Sequence, residues 1–347
     1  MQIQENISLK TYNTFSIDAK ARYFSVFSTV EELSKLTTDN PIAIGSQLPT
    51  LILGGGSNIL FTKNFDGLVL KNEIKGIKEF HEDNEYVFVK VGAGENWHQF
   101  VLHCIKRNWG GVENLSLIPG NVGAAPIQNI GAYGVEQKEV FLELEAFHLP
   151  DKKVYHFSLN DCEFEYRDSI FKKKKKDEFV ILSVSYRLRK HPIFNTSYGA
   201  IEKELERMGE KSLSIQAISQ AVINIRSSKL PDPLSIPNAG SFFKNPVIGN
   251  SQFELLKAQF PEIVGYPLPD GNVKLAAGWL IEHCGPNAST SWKGYRKGDA
   301  GCHEKQALVL VNHGNAGGDE VFKMSEEILQ SVYKMFGVEL EREVNII

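Results

Sequence analysis

Two glycine-rich loops constrain this 347-residue chain more than any other feature. The first, Gly54-Gly55-Gly56-Ser57-Asn58, leaves directly from a short apolar strand at Pro49–Leu53. Successive glycines let a backbone turn sharply and aim N–H groups inward, a nest that binds anions without cationic side chains. Alone, three glycines after a strand read as a tight turn, because neither the dinucleotide fingerprint nor the P-loop pattern is present. The second loop, Pro119–Pro126, carries Gly120 and Gly123 between two prolines and continues into Gln128-Asn129-Ile130-Gly131-Ala132-Tyr133-Gly134. Two such loops, each beside a strand or helix end, suit a cofactor held along an extended diphosphate.

Around these loops the first part of the chain alternates short strands and helices. Thr29 and Glu32 are spaced as a capping box, which starts a helix running through Leu36. Strands are expected at Gly67–Leu70, Tyr86–Val91, Phe141–His148 and Val180–Leu188; in the second of these Val87, Val89 and Val91 share a face. Trp97, Phe100, Val101, Cys104 and Ile105 fall on one face of a helix. Leu230-Pro231-Asp232-Pro233 breaks any helix and places a boundary after Arg226. Helices follow near Ser251–Phe260 and over Asp319–Phe336, with Gly337 suited to close the latter. A terminal strand sets Val338, Leu340, Val344 and Ile346 against Glu339, Glu341, Glu343 and Asn345.

Composition removes several function classes. A net charge of −4 leaves no basic face for nucleic acid. No apolar run approaches the roughly 18 residues that span a bilayer. The first residues lack the basic start and apolar core of a signal peptide, so a cytoplasmic protein without a membrane partner is expected. Cys104, Cys162, Cys284 and Cys302 are far apart, so neither a zinc site nor a disulfide framework is expected. The five lysines Lys172–Lys176 read as a solvated loop.

A third segment carries chemistry. Asn238-Ala239-Gly240-Ser241-Phe242-Phe243-Lys244-Asn245-Pro246 sets a hydroxyl, a cation and two amides around a glycine, between Pro237 and Pro246. The two phenylalanines can anchor the turn by burial. A serine held this way is a candidate proton donor; the plainer alternative is a turn serine bonding its own backbone.

Taken in order, Leu53–Asn58, Ile118–Gly123, Gln128–Gly134, Tyr166–Ser169, Lys229–Pro233 and Asn238–Pro246 resemble the UDP-N-acetylenolpyruvoylglucosamine reductase family. The likeness runs from Asn13-Thr14-Phe15 to Leu340–Val344, and the Tyr198 segment resembles the subtype with a tyrosine loop. The resemblance implies an α+β protein. A two-part FAD-binding module of the vanillyl-alcohol-oxidase type, parts 1–72 and 73–225, precedes a C-terminal α+β substrate-binding domain, 226–347. It further implies non-covalent FAD, NADPH as co-substrate, and reduction of UDP-N-acetylglucosamine enolpyruvate to UDP-N-acetylmuramate in peptidoglycan precursor synthesis, by a monomer. The segment Trp292–His303 follows the family pattern only loosely.

Residue by residue, the resemblance assigns the cofactor to Gly54, Gly55, Gly56, Ser57, Asn58, Pro119, Gly120, Val122, Gly123, Gln128, Asn129, Gly131, Ala132 and Tyr133. It assigns the substrate to Tyr198, Lys229 and Asn245. Arg167, Ser241 and Glu343 take the catalytic positions: hydride goes to the alkene terminus and Ser241 protonates the enolate carbon. The helper of Ser241 stays open between Lys229, Lys244 and a water. Glu341 shares the face of Glu343, and motif position alone separates them. The competing reading is a FAD-dependent alcohol or sugar oxidase on the same module. Such oxidases often tether FAD through histidine or cysteine, and neither occurs in the two glycine loops. A non-catalytic sugar-nucleotide sensor is the third reading, and it would have no need of the Ser241 hydroxyl.

Overall fold

The computed structural model describes residues 2–38 and 48–347. The chain forms two compact units. Unit 1 comprises Met1–Ile7, Ala21–Gly56 and Asp66–Ser228; unit 2 comprises Ser8–Lys20, Ser57–Phe65 and Lys229–Ile347.

Unit 1 is built on two sheets. The first has the strand order Gln4–Ser8, Lys20–Phe27, Phe65–Asn72, Thr50–Leu53. Its last pair is parallel, with Leu53 opposite Lys71, so the first glycine loop opens at the carboxyl end of an edge strand. The second runs Val154–Ser158, Phe141–His148, Phe179–Arg189, Tyr86–Gly92, Ile77–Glu82, all neighbours antiparallel. Val87, Val89 and Val91 are buried, as their alternation predicts.

The helix Trp97–Lys106 covers this second sheet. Asn96 caps it by accepting the Gln99 N–H at 3.0 Å. Its five expected face residues are all buried, and Phe100 stacks on Tyr186 of the central strand at 5.1 Å. The capping box at Thr29 forms with one change: Thr29 Oγ1 accepts the Glu32 N–H, but Glu32 returns its bond to the N–H of Ser28.

Unit 2 holds a four-stranded sheet in the order Asn238–Ser241, Val309–Asn312, Ala300–Cys302, Arg296–Lys297, and a three-stranded sheet, Val247–Gly249, Asn272–Leu275, Gly265–Pro267. The helix Gly318–Phe336 buries Val321, Ser325, Ile328, Val332 and Phe336, and Gly337 closes it at φ +63°. Two early segments belong here by long-range backbone bonds. Thr14 O accepts the Asn238 N–H at 3.0 Å, and Ile347 O accepts the Thr62 N–H at 2.7 Å.

The compact units divide between Ser228 and Lys229, and the last strand of the first sheet in chain order ends at Asn72. The terminal strand shrinks to Asn345–Ile346, parallel to Ile59–Leu60, with Arg342 bridged to Phe243. Its inside-outside alternation survives: Val338, Leu340 and Val344 are buried. Among the described residues, no helix is long and apolar enough to cross a membrane.

Candidate active site

In unit 1 the two glycine loops meet. A Cβ on Gly55 would lie 2.8 Å from the Gly120 Cα and 3.0 Å from Asn121 Oδ1, so only glycine allows this approach. Asn121 spaces the loops: buried, it donates from Nδ2 to Gly94 O at 3.0 Å. Val122 is fully buried and gives its N–H to Glu95 O, so it anchors the loop instead of presenting a side chain. A Cβ on Gly123 would sit 2.6 Å from the Ala93 Cβ. The result is a close backbone cradle with little side-chain bulk, which fits a diphosphate.

The segment after the second loop forms a small hairpin, Gly131–Ala132 against Val135–Glu136. Its central residues Tyr133 and Gly134 have φ of +51° and +80°, as a two-residue hairpin turn requires. Asn129, Tyr133 and Arg167, at or bonded to this hairpin, all have left-handed φ. Such strain persists where surrounding structure over-determines it, commonly at functional sites.

Asn129 shows how. It is completely buried, its Nδ2 donates to Glu136 Oε2 and Glu165 O, and its Oδ1 accepts the Lys138 N–H. Its side chain therefore works inside the protein, leaving only its backbone for a cofactor.

Arg167 stands on a tight turn closed by reciprocal backbone bonds between Glu165 and Asp168. Its Nη2 donates to Gly131 O, which ties the guanidinium to the hairpin. Tyr198 packs edge-on against Tyr133, centroids 5.3 Å apart, and is 44% exposed. Asn114 holds the tyrosine segment to the hairpin, donating to Tyr133 O at 3.1 Å and Asn195 O at 2.9 Å.

Sequence reasoning used Arg226 only to mark a boundary. In the structure its Nε is buried and has no hydrogen-bond partner among the described residues. Burial pushes its pKa down, and the charge of Arg167 adds to this; the Tyr133 hydroxyl alone works the other way. Burial likewise pushes the Tyr133 phenol up, while Arg226 opposes that shift. A guanidinium with a buried Nε beside a tyrosine and a second arginine has the chemistry to meet an anion. An arginine at helical spacing from the buried Ala221, Val222 and Ile225 was the available signal.

In unit 2 the chain brings Ser241 and Glu343 together. Ser241 lies opposite Val309, and Gly240 before it turns at φ +71° with its N–H on Asn238 Oδ1. Phe242 and Phe243, both buried, hold the segment in the core. The Glu343 N–H donates to Phe242 O, and the Lys244 N–H to Glu341 O, each at 2.8 Å.

Lys244 Nζ pairs with Glu341 Oε1 at 2.5 Å. That contact commits Glu341 and Lys244 to each other. Among the described residues the Ser241 hydroxyl has no hydrogen-bond partner, which sets aside the plain turn-serine reading.

The amides of unit 2 are partly structural. Asn245 Oδ1 accepts the Ala277 N–H at 3.0 Å, capping the helix Ala277–Glu282, so only its Nδ2 faces other duties. Asn58 donates from Nδ2 to Glu343 O, and its own carbonyl accepts both N–H and Nδ2 of Asn345. It thereby fixes the backbone of the glutamate. Lys229, at the end of the helix Ile215–Lys229, is exposed and forms no ion pair among the described residues.

Comparison with known proteins bears on both units. Residues 27–158 match the FAD binding domain family, and residues 232–347 match the family described as UDP-N-acetylenolpyruvoylglucosamine reductase, C-terminal domain. The chain is 50% identical over 347 residues to the UDP-N-acetylenolpyruvoylglucosamine reductase of Amoebophilus asiaticus (strain 5a2), covering 100% of both chains. It is 46% identical over 350 residues to the protein of that name from Pseudomonas putida, covering 100% of this chain and 99% of the other. The crystal structure of the Thermus caldophilus reductase superposes with a TM-score of 0.66 at 22% identity, covering 100% and 99%, a likeness of fold.

Proposed function

The chain belongs to the UDP-N-acetylenolpyruvoylglucosamine reductase family, and on that premise we propose how its residues divide the reaction. The protein is a flavin-dependent oxidoreductase that reduces UDP-N-acetylglucosamine enolpyruvate to UDP-N-acetylmuramate, with FAD as cofactor and NADPH as reductant. When bound, FAD supplies hydride transfer from the nicotinamide to the terminal alkene carbon.

The residues present fit that cofactor. Gly54, Gly55, Gly56 and Ser57 with Pro119, Gly120 and Gly123 form the backbone cradle for the diphosphate. Gln128, Gly131, Ala132 and Tyr133 extend it, and Arg226 offers a buried positive charge to an anionic group. The FAD-binding module is read as two subdomains, 1–72 and 73–225, a reading that the two separate sheets support; 226–347 is the substrate domain.

The substrate's demands fall on other side chains. Charge builds on the carbon beside a carboxylate as an enolate, and that carbon needs a proton. Arg167 presents a planar fork that matches a carboxylate in two bonds and keeps its charge throughout. Ser241 gives its hydroxyl proton to the enolate carbon. Glu343, next to the strand that carries Ser241, acts as the acid near the substrate carboxyl. Tyr198, Lys229 and the Nδ2 of Asn245 hold the sugar nucleotide; a lysine serves a diphosphate as a mobile point charge. The protein acts as a cytoplasmic monomer.

One observation carries the proton assignment. Among the described residues the Ser241 hydroxyl has no hydrogen-bond partner, and the next residue, Phe242, accepts the Glu343 N–H. The test is an anaerobic NADPH titration of the FAD-loaded protein. The flavin absorbance should bleach and then return when the enolpyruvyl sugar nucleotide is added. A flavin that stays oxidised under NADPH sinks this reading.

A further inference from the structure

The lysine run Lys172–Lys176 is not a merely solvated stretch. Lys174 pairs with Glu163 at 2.6 Å, Lys175 lies over the Phe179 ring at 5.2 Å, and Lys172 Nζ reaches the Arg167 carbonyl at 3.4 Å. Lys173 does more. Its ammonium sits 2.6 Å from Asp168 Oδ2 and 3.0 Å from Glu165 Oε2, the two residues that close the turn around Tyr166 and Arg167. The Asp168 side chain is only 12% exposed and also accepts the Ser169 N–H from Oδ1.

We propose that Lys173 is a positioning residue for Arg167: it bridges Glu165 and Asp168 and so holds the left-handed turn that aims the guanidinium. Arg167 has φ +56°, a conformation an arginine keeps only under external constraint. Two carboxylates flank it three residues apart, and without a cation between them they repel and open the turn. Other restraints also act on this turn: Asn129 Nδ2 on Glu165 O, Ser169 Oγ on Ile127 O at 2.7 Å, the Lys172 ammonium on the Arg167 carbonyl, and Arg167 Nη2 on Gly131 O. Among the described residues, the cation linking the two carboxylates is Lys173. An exposed ion pair contributes little to global stability, so the role predicted is in aim and not in holding the fold. A fork that is turned away loses its second bond to a carboxylate.

This inference rests on the reading of Arg167 as the carboxylate and enolate partner, and the experiment separates the two. Wild-type, Lys173→Met, Lys173→Arg and Arg167→Lys are prepared with FAD. Anaerobic stopped-flow follows flavin reduction by NADPH and then reoxidation by the enolpyruvyl sugar nucleotide. Calorimetry of the oxidised protein reads the dissociation constant for UDP-N-acetylmuramate.

Lys173→Met should slow reoxidation about tenfold and weaken product binding several-fold, with reduction by NADPH and the melting temperature unchanged. Lys173→Arg, which can still bridge the carboxylates, should restore reoxidation to within about twofold. Glu165→Gln, which removes one arm of the bridge, is the gentler variant should Lys173→Met fold poorly, and should show the same split on a smaller scale. Arg167→Lys should slow reoxidation about a hundredfold or more. If Arg167→Lys is slow but Lys173→Met and Glu165→Gln match wild type, Lys173 has no positioning role. If Lys173→Met slows both half-reactions equally, its effect is general and the proposal is overturned. If Arg167→Lys is itself unaffected, the reading of Arg167 fails and the inference with it.

Discussion

The turn that presents Arg167 and the strand that presents Ser241 solve one problem by opposite means. The arginine turn is pinned by polar and charged contacts: reciprocal Glu165–Asp168 backbone bonds, the Lys173 bridge and the buried Asn129 amide. The serine strand is pinned by burial. Phe242 and Phe243 are almost completely buried, Phe15 meets Phe242 at 6.2 Å, and the backbone is paired to residues 308–309 and 341–343. Polar anchoring sets direction and depends on each partner being present. Apolar anchoring sets depth, tolerates salt, and fails when volume is lost.

The largest effect that can break this contrast is chemical. Ser241→Ala should leave the fold and its burial intact while lowering turnover about 10²–10⁴-fold. Circular dichroism and steady-state rates measured together would show whether the strand stands without its hydroxyl; undiminished turnover removes serine as the proton donor. Next in size, Phe242→Ala opens a cavity under Ser241 and should destabilise the protein by about 3–5 kcal/mol, read from urea midpoints. A much smaller loss would mean that the backbone ladder, not burial, holds the strand.

Unit 1 also contains polar groups buried without partners, and these sharpen the comparison from the other side. Gln137 is fully buried, and among the described residues neither its Oε1 nor its Nε2 has a hydrogen-bond partner. Gln137→Leu should therefore stabilise the protein, by about 1–2 kcal/mol, since an unmet buried amide is costly. A destabilised variant would show that the amide is satisfied by solvent.

The smallest effect concerns pH. Glu113 is buried, and burial pushes its carboxyl pKa up, against the backbone bonds from Gly111 and Val112 that lower it. A group whose folded pKa is raised contributes stability below its unfolded pKa and loses it as pH rises through the folded value. Wild-type should therefore lose stability relative to Glu113→Gln as pH rises above about 4.3, the unfolded carboxyl value. Glutamine can still accept the Gly111 N–H that Glu113 Oε2 holds at 2.6 Å. Equal urea midpoints from pH 4 to pH 8 would show that the carboxyl is solvated.

Much of this molecule was readable because its signals are local. The valine alternation of 86–92, the apolar face of Trp97–Lys106, the Gly337 cap and the glycine loops each depend on neighbours within a few residues. The order of motifs was equally open to reading, and with it the family and the set of candidate side chains. What the tertiary structure decided were partners far apart in the chain. It gave Glu341 to Lys244, 97 residues away. It tied Asn58 to the Glu343 backbone across 285 positions and gathered Ser8–Lys20 and Ser57–Phe65 into unit 2. It turned a lysine run into a brace and a boundary arginine into a buried charge. Periodicity records which way a side chain faces; which ion or amide meets it there depends on where the folded chain brings its distant parts, and no local pattern encodes that.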